Sequence, residues 1–211
     1  MKRNYILQNE DTILRPVTVE DAELIVKLRN QPHVQGKVHF TSGDISAQEK
    51  WIFNYLQRDN DFYWIIETLE HQPIGTQSLY NFNPETGDIE SGRWVLLRDA
   101  RVNVMANRIL NFDFAFNVLK AKRILWDVVV TNESVIRYSD MCGSRQIKKG
   151  KIQGVGSEDV EVIWYGETPE SWSVNRKRLI RYCKAPDAMS AWEVFSDGRQ
   201  MEVDISGDLA V

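Results

Sequence analysis

The chain has 211 residues, 43% of them hydrophobic and 27% charged, with a net charge of −4. That length and balance describe one sizeable core, and the slight acidity leaves no electrostatic footprint for nucleic acid or an anionic membrane. Two cysteines, Cys142 and Cys183, are too few for a disulfide framework or a zinc cluster, so no metal is expected.

The amino-terminal segment starts basic but has no apolar signal region, and no stretch approaches a membrane span. A soluble cytoplasmic protein is the expectation. TILRPV (Thr12 to Val17) reads as a short strand ended by Pro16. Thr18 and Asp21 then cap a helix from about Val19 to Asn30. A polar loop, Gln31 to Asp44, leads to a second helix, Ala47 to Arg58, with Ser46 and Glu49 as its capping box. Asp61–Leu69, Ile74–Phe82 and Ile89–Leu97 alternate with turn signals and predict a three-stranded antiparallel meander.

Next comes the central unit. Met105, Ile109, Phe112, Phe116 and Leu119 recur at helical spacing. RILWDVVV (Arg123 to Val130) is a near-continuous apolar run, as in a strand covered on both faces. A short helix follows between Thr131 and Gly143. A strand, a helix entered by a tight loop, and a second strand can hold a phosphate at the helix N-terminus. Beyond it, SRQIKKGKI and Val160–Thr168 predict two strands, Pro169 opens a helix to about Tyr182, and Asp197-Gly198 marks a hairpin. The order predicts an α/β domain, a mixed sheet with helices on both faces, over residues 1–184. Residues 185–211 form a carboxy-terminal extension whose hairpin edge could support a homodimer.

LRPVTVEDAELIVKLRNQPHV, IGTQSLYNF, DFAFNVLKAKRI and VVVTNESVIRYSDMCG, in that order, resemble the GCN5-related N-acetyltransferase (GNAT) superfamily. The resemblance runs from about Thr12 to Thr168 and is nearest the branch of ribosomal-protein-alanine and bacterial amino-sugar acetyltransferases. It implies a GNAT-like, mostly antiparallel mixed sheet and acetyl transfer from acetyl-coenzyme A, as co-substrate, to a primary amine. In such proteins the pantetheine arm lies in a gap between two parted strands, and the loop opening the central helix wraps the pyrophosphate. The implied acceptor is a small polar amine, with a nucleotide-linked amino sugar ahead of amino acids or a protein N-terminus. A non-catalytic scaffold that kept the sheet and lost the donor site is the other class.

The chemistry sets the roles. The amine must lose a proton, the tetrahedral oxyanion needs N–H donors, and the leaving thiolate benefits from an acid. The resemblance puts the main chain of Val95, Leu96 and Leu97 beside pantetheine. The family phosphate pattern R-x-x-G-x-G/A falls on Arg101 to Ala106, with Val104 at the middle glycine. The amides of Asn103, Val104, Met105, Ala106 and Asn107 are the expected diphosphate donors. Asn132 is a further donor-side hydrogen bonder, or simply a helix cap. Counting from Asn132 to Gly143 puts Ser139, not Tyr138, where the family keeps its tyrosine acid. Tyr138 is then rotated by about 100° and reads as acid or packing residue. Glu90 and His39 are the candidate bases, with a water relay as alternative, and His39, Tyr80 and Trp94 the candidate acceptor contacts.

Overall fold

The computed structural model describes residues 4–38, 42–153 and 159–207. His39 lies outside them. The strands are β1 (Asn4–Gln8), β2 (Thr12–Pro16), β3 (Phe62–Thr68), β4 (Pro73–Tyr80), β5 (Asp88–Leu96), β6 (Arg123–Val129), β7 (Arg145–Gln153), β8 (Asp159–Glu167), β9 (Ser190–Val194) and β10 (Gln200–Val203). The helices are α1 (Ala22–Arg29), α2 (Ile45–Tyr55), α3 (Val104–Asp113), α4 (Glu133–Met141) and α5 (Pro169–Leu179). The strands form one sheet in the order β10-β9-β1-β2-β3-β4-β5-β6-β8-β7. Every pairing is antiparallel except β5 with β6. Among the described residues no helix is long and apolar enough to cross a membrane.

The meander forms where the alternation predicts it. Tyr63 and Ile65 of β3 point to one face and pack with Ile25, Ile52 and Tyr55 of α1 and α2. Trp64 and Ile66 point to the other and join the main core under α3. That second face explains α3. Met105 to Asp113 are all buried, because the helix is enclosed between the sheet and the carboxy-terminal elements. A helix buried all round must satisfy its polar groups internally. Asp113 accordingly accepts from Trp172 Nε1 at 2.8 Å and Arg176 Nε at 2.7 Å. The helix continues as a π-helical turn, Phe114–Val118, which seats Phe114 edge-on against Tyr5 and Trp64. The 3.6-residue spacing predicts one uninterrupted helix there and gives no sign of the wider turn.

Three local features differ from the sequence reading. NYILQ is a strand, β1, with Tyr5 and Leu7 in the core and a partner on each edge. Through it the hairpin β9–β10 is continuous with the sheet, and Ile205 reaches the main core. α2 is capped by Asp44, whose carboxylate accepts from Ser46 N and Ala47 N, in place of the Ser46–Glu49 box. α4 starts after Asn132, not Thr131, and is capped by Cys142, followed by Gly143 with φ +77°, where a Cβ would meet Asn175 and Arg178 at 2.5 Å.

Candidate active site

β5 and β6 pair at only three positions, Asp88–Arg123, Ile89–Ile124 and Glu90–Leu125. Beyond Glu90 and Leu125 both strands continue with no ladder between them. A β-bulge in β5 accompanies the parting: its register against β4 shifts between Thr76 and Ser78. Arg93 takes φ +49°, unusual for a residue with a side chain. Thr76 Oγ1 donates to Arg93 O at 2.7 Å and Ser78 Oγ to Gly92 O at 2.9 Å, which fixes the bulge from β4. Arg93 and Trp94 therefore have no ladder partner on either side. Their main-chain N–H groups are the candidate oxyanion donors of the gap.

The gap opens on a cavity of about 1190 Å³. One half lies between the sheet and α1–α2. There Arg93 pairs with Asp61 through two hydrogen bonds of 2.7 and 3.2 Å, and its guanidinium lies 4.4 Å from the Tyr80 ring centre. Arg29, from the last turn of α1, joins the wall, and burial with Arg93 nearby lowers its affinity for a proton. Asp127 also lines this half, two residues beyond the last β5–β6 pair. Across the gap stands Gly92, where a Cβ would come within 3.0 Å of the Tyr80 ring. Burial, then Glu90 and Asp127, push the Tyr80 hydroxyl well above the ordinary phenol range.

The other half runs between β6, α3 and α4. Arg108 lines it from α3, buried, with its guanidinium 4.9 Å from the Trp126 ring and Nη2 donating to Ser144 Oγ at 2.7 Å. Tyr138 packs on Trp94 at 5.2 Å, and its hydroxyl donates to Val104 O at 3.1 Å. Burial raises that phenol well above its usual range. Ser139 is 1% exposed and accepts from Trp126 Nε1 at 3.4 Å. Neither hydroxyl is set out as a ready acid.

The remaining sequence candidates fall as follows. Tyr80, Trp94, Asn132, Tyr138 and Ser139 all line the cavity. Glu90 is not in the lining; it is half-buried, accepts from Asn81 Nδ2 at 3.0 Å and is hydrogen-bonded to Tyr80, which does line the cavity. Val95 is buried beside Leu28 and Val34. Leu96 O accepts from Gln31 Nε2 at 3.2 Å, and Leu97 N donates to Ile74 O at 2.8 Å. Arg101 is exposed. At the mouth of α3, Asn103 N donates to Asp11 Oδ2 at 2.7 Å, and Asn107 N to Asn103 O at 3.1 Å. Met105 N and Ala106 N donate to Asn103 Oδ1 at 3.1 and 3.3 Å. A diphosphate does not fit this mouth as it stands, because these amides already have acceptors within the chain. The strand gap does suit a thioester arm.

Sequence reasoning missed Asp127, Arg29, Arg93 and Arg108. A lone aspartate inside the apolar run RILWDVVV was a legible signal for the first. The three arginines gave none, because Arg29 and Arg108 depend on which helix faces the sheet and Arg93 on the bulge in β5.

Comparison with known proteins now decides the family: residues 11–145, well over half of the chain, match the family described as the acetyltransferase (GNAT) domain. The chain belongs to the GNAT acetyltransferase family. The match starts at the β1–β2 turn and ends as β7 begins, so β1, nearly all of β7, β8, α5 and the β9–β10 hairpin lie outside the matched region. Among solved structures, an apo form of FdhC, described as a nucleotide-linked sugar GNAT, is 28% identical with TM-score 0.67, covering 87% of this chain and 97% of that one. A ribosomal-protein-alanine acetyltransferase from Vibrio fischeri is 17% identical with TM-score 0.65, covering 79% and 98%. The spermidine N-acetyltransferase SpeG from Vibrio cholerae is 16% identical with TM-score 0.66, covering 80% and 99%. The last two share the GNAT fold and carry no more than that. No curated protein sequence matches the chain. As a GNAT protein this is an N-acetyltransferase.

Proposed function

We propose that the protein moves an acetyl group from acetyl-coenzyme A to the primary amine of a small polar acceptor, and that the acceptor is a nucleotide-linked amino sugar. One observation carries the reading: β5 and β6 part after three pairs and open on a cavity with a carboxylate, Asp127, at the gap and a cation, Arg29, in its wall. At about 1190 Å³ the cavity exceeds the usual small-ligand range of roughly 300–1,000 Å³ and has room for a nucleoside diphosphate with its sugar. Arg29 and Lys37 suit the charge of that diphosphate. The likeness to FdhC, a nucleotide-linked sugar GNAT, supports the same acceptor class.

The thioester carbonyl lies in the gap, with its oxygen toward the main-chain N–H groups of Arg93 and Trp94. The neutral amine attacks the carbonyl carbon from the α1–α2 side. A C–N bond forms, and the amine proton passes to Asp127, directly or through one water. As the C–S bond breaks, the oxyanion collapses to the amide and the thiolate takes its proton from water. Tyr80 and Arg93 shape the acceptor side. Asp127, in the lining, takes the proton ahead of Glu90, which reaches the cavity only through Tyr80.

Thiol release from acetyl-coenzyme A tests this against a panel of nucleotide-linked amino sugars, free amino sugars, amino acids and polyamines. The nucleotide-linked sugars should exceed the free sugars in kcat/KM by about 10²-fold or more, since a site that holds a diphosphate by charge-assisted hydrogen bonds loses them with a substrate that lacks it. Equal rates for both would remove the acceptor class. Release with none of the amines would remove the reaction.

A further inference from the structure

The mouth of α3 is closed by the chain's own residues. Asn103 caps it with its side chain. Its Nδ2 donates to Glu10 Oε1 at 2.7 Å and to Tyr182 O at 2.8 Å, while its backbone N–H goes to Asp11. Glu10 in turn accepts from Ala185 N at 2.6 Å. The β1–β2 turn, the helix mouth and the segment after α5 thus form one latch. β1 and that segment lie outside the matched GNAT region.

A helix N-terminus attracts an anion because its first N–H groups lack partners and carry the positive end of the helix dipole. Here the anion is already supplied. The Asp11 carboxylate and the Asn103 amide oxygen take the places a phosphate would occupy, and Glu10 adds a second negative charge beside them. The way out between α3 and α4 is bridged too, by the Tyr138 hydroxyl on Val104 O with Trp94 packed behind it. A diphosphate arriving at this mouth meets the like charge of Glu10 and Asp11, with Lys184 already set against both carboxylates, and four of the five amides from Asn103 to Asn107 are engaged within the chain. The strand gap, by contrast, keeps its unpaired main chain.

We infer that donor recognition in this protein rests on the acyl-pantetheine arm, and that the Glu10–Asp11–Asn103 latch takes the adenosine diphosphate half of coenzyme A out of the binding site. This rests on the thioester-donor reading above. It makes the donor class any acetyl-phosphopantetheine thioester, with or without the nucleotide.

Calorimetric titration of the full chain with coenzyme A, 4′-phosphopantetheine, pantetheine and adenosine 3′,5′-bisphosphate tests it. Coenzyme A and phosphopantetheine should bind within about 5-fold of each other, and the bisphosphate should give no heat, because the amides at the mouth are engaged and Glu10 and Asp11 repel it. The double variant Glu10→Gln, Asp11→Asn should tighten coenzyme A by about 10-fold and phosphopantetheine in the same direction, since both carry the phosphate next to pantetheine, and should leave pantetheine itself unchanged, as removal of like charge requires. An equal gain for pantetheine overturns the inference. A preference for coenzyme A of about 100-fold or more overturns the inference while sparing the donor reading, since one or two well-made phosphate contacts give that much. So does a loss of coenzyme A binding in Val104→Pro, which deletes only the N–H at the first helical position, where proline is tolerated. Failure of both coenzyme A and phosphopantetheine to bind overturns the donor reading and this inference together.

Discussion

Replacing Arg93 by methionine should cost the fold more than any surface change of equal size. The Arg93 guanidinium meets both oxygens of Asp61, and the two side chains are only 18% and 6% exposed. Methionine keeps most of the packing against Trp51, Tyr63 and Tyr80 but leaves the Asp61 carboxylate buried without its partner. Breaking a buried pair from one side costs about 3–5 kcal/mol, most of it the uncompensated charge. For a domain of this size that is a fall in Tm of about 6–20 °C, at 2–4 °C per kcal/mol. Urea unfolding with Arg93→Met, Asp61→Asn and the double variant measures it. The double variant should recover about half of the summed single losses, since neither charge is then stranded. A loss below about 1 kcal/mol in Arg93→Met, or strict additivity, would show that the pair is screened like a surface bridge and that the buried-charge argument is wrong.

Other perturbations follow from the same physics. Trp172→Ala empties a fully buried site beside Phe112 and removes a donor from Asp113, so unfolding by urea should show a loss of about 3–5 kcal/mol. Trp172→Phe keeps most of the volume and should lose about 1–2 kcal/mol through the missing hydrogen bond. Burial raises the carboxyls of Glu167 and Asp113, so the folded state holds their protons more tightly than the unfolded chain does. Their contribution to stability is therefore largest below the ordinary carboxylate range and falls as pH rises through it. Glu167→Gln should flatten the decline of the urea midpoint from acid to neutral pH, and an unchanged slope would remove Glu167 from the account. Asp127→Asn should lower kcat/KM by about 10²–10⁴ with the melting temperature nearly unchanged, whereas Glu90→Gln should leave the rate within about 3-fold. The opposite ranking would return the base to Glu90.

The layered fold was legible because it is written in spacing, and the family through the resemblance of four motifs. The meander shows in period-two alternation, α3 in a helical period, and α4 between a capping residue, read one place early at Thr131, and Gly143. The parting of β5 and β6 was foreseen only through the resemblance. Its local cause, a bulge at Arg93 held by Thr76 and Ser78, depends on how two strands slide past each other, and one strand's sequence does not record that. The same limit applies at the mouth of α3. Val104 in place of glycine was visible, but the closing of the mouth by Glu10 and Asp11 joins residues about ninety positions apart with a stretch after α5. β1 escaped notice because five residues carry too little alternation to separate a strand from an amino-terminal tail. Asp127 was within reach: a charge in an apolar strand has a cost unless it serves something.

The central claim is that acyl transfer takes place between the parted ends of β5 and β6. A crystal structure of the protein with a non-hydrolysable acetyl thioester analogue tests it most directly. The account predicts the acyl carbonyl against the N–H groups of Arg93 and Trp94, with the open side of the carbon toward Asp127. An analogue bound elsewhere, or β5 and β6 joined by a continued ladder beyond Glu90 and Leu125, would contradict it.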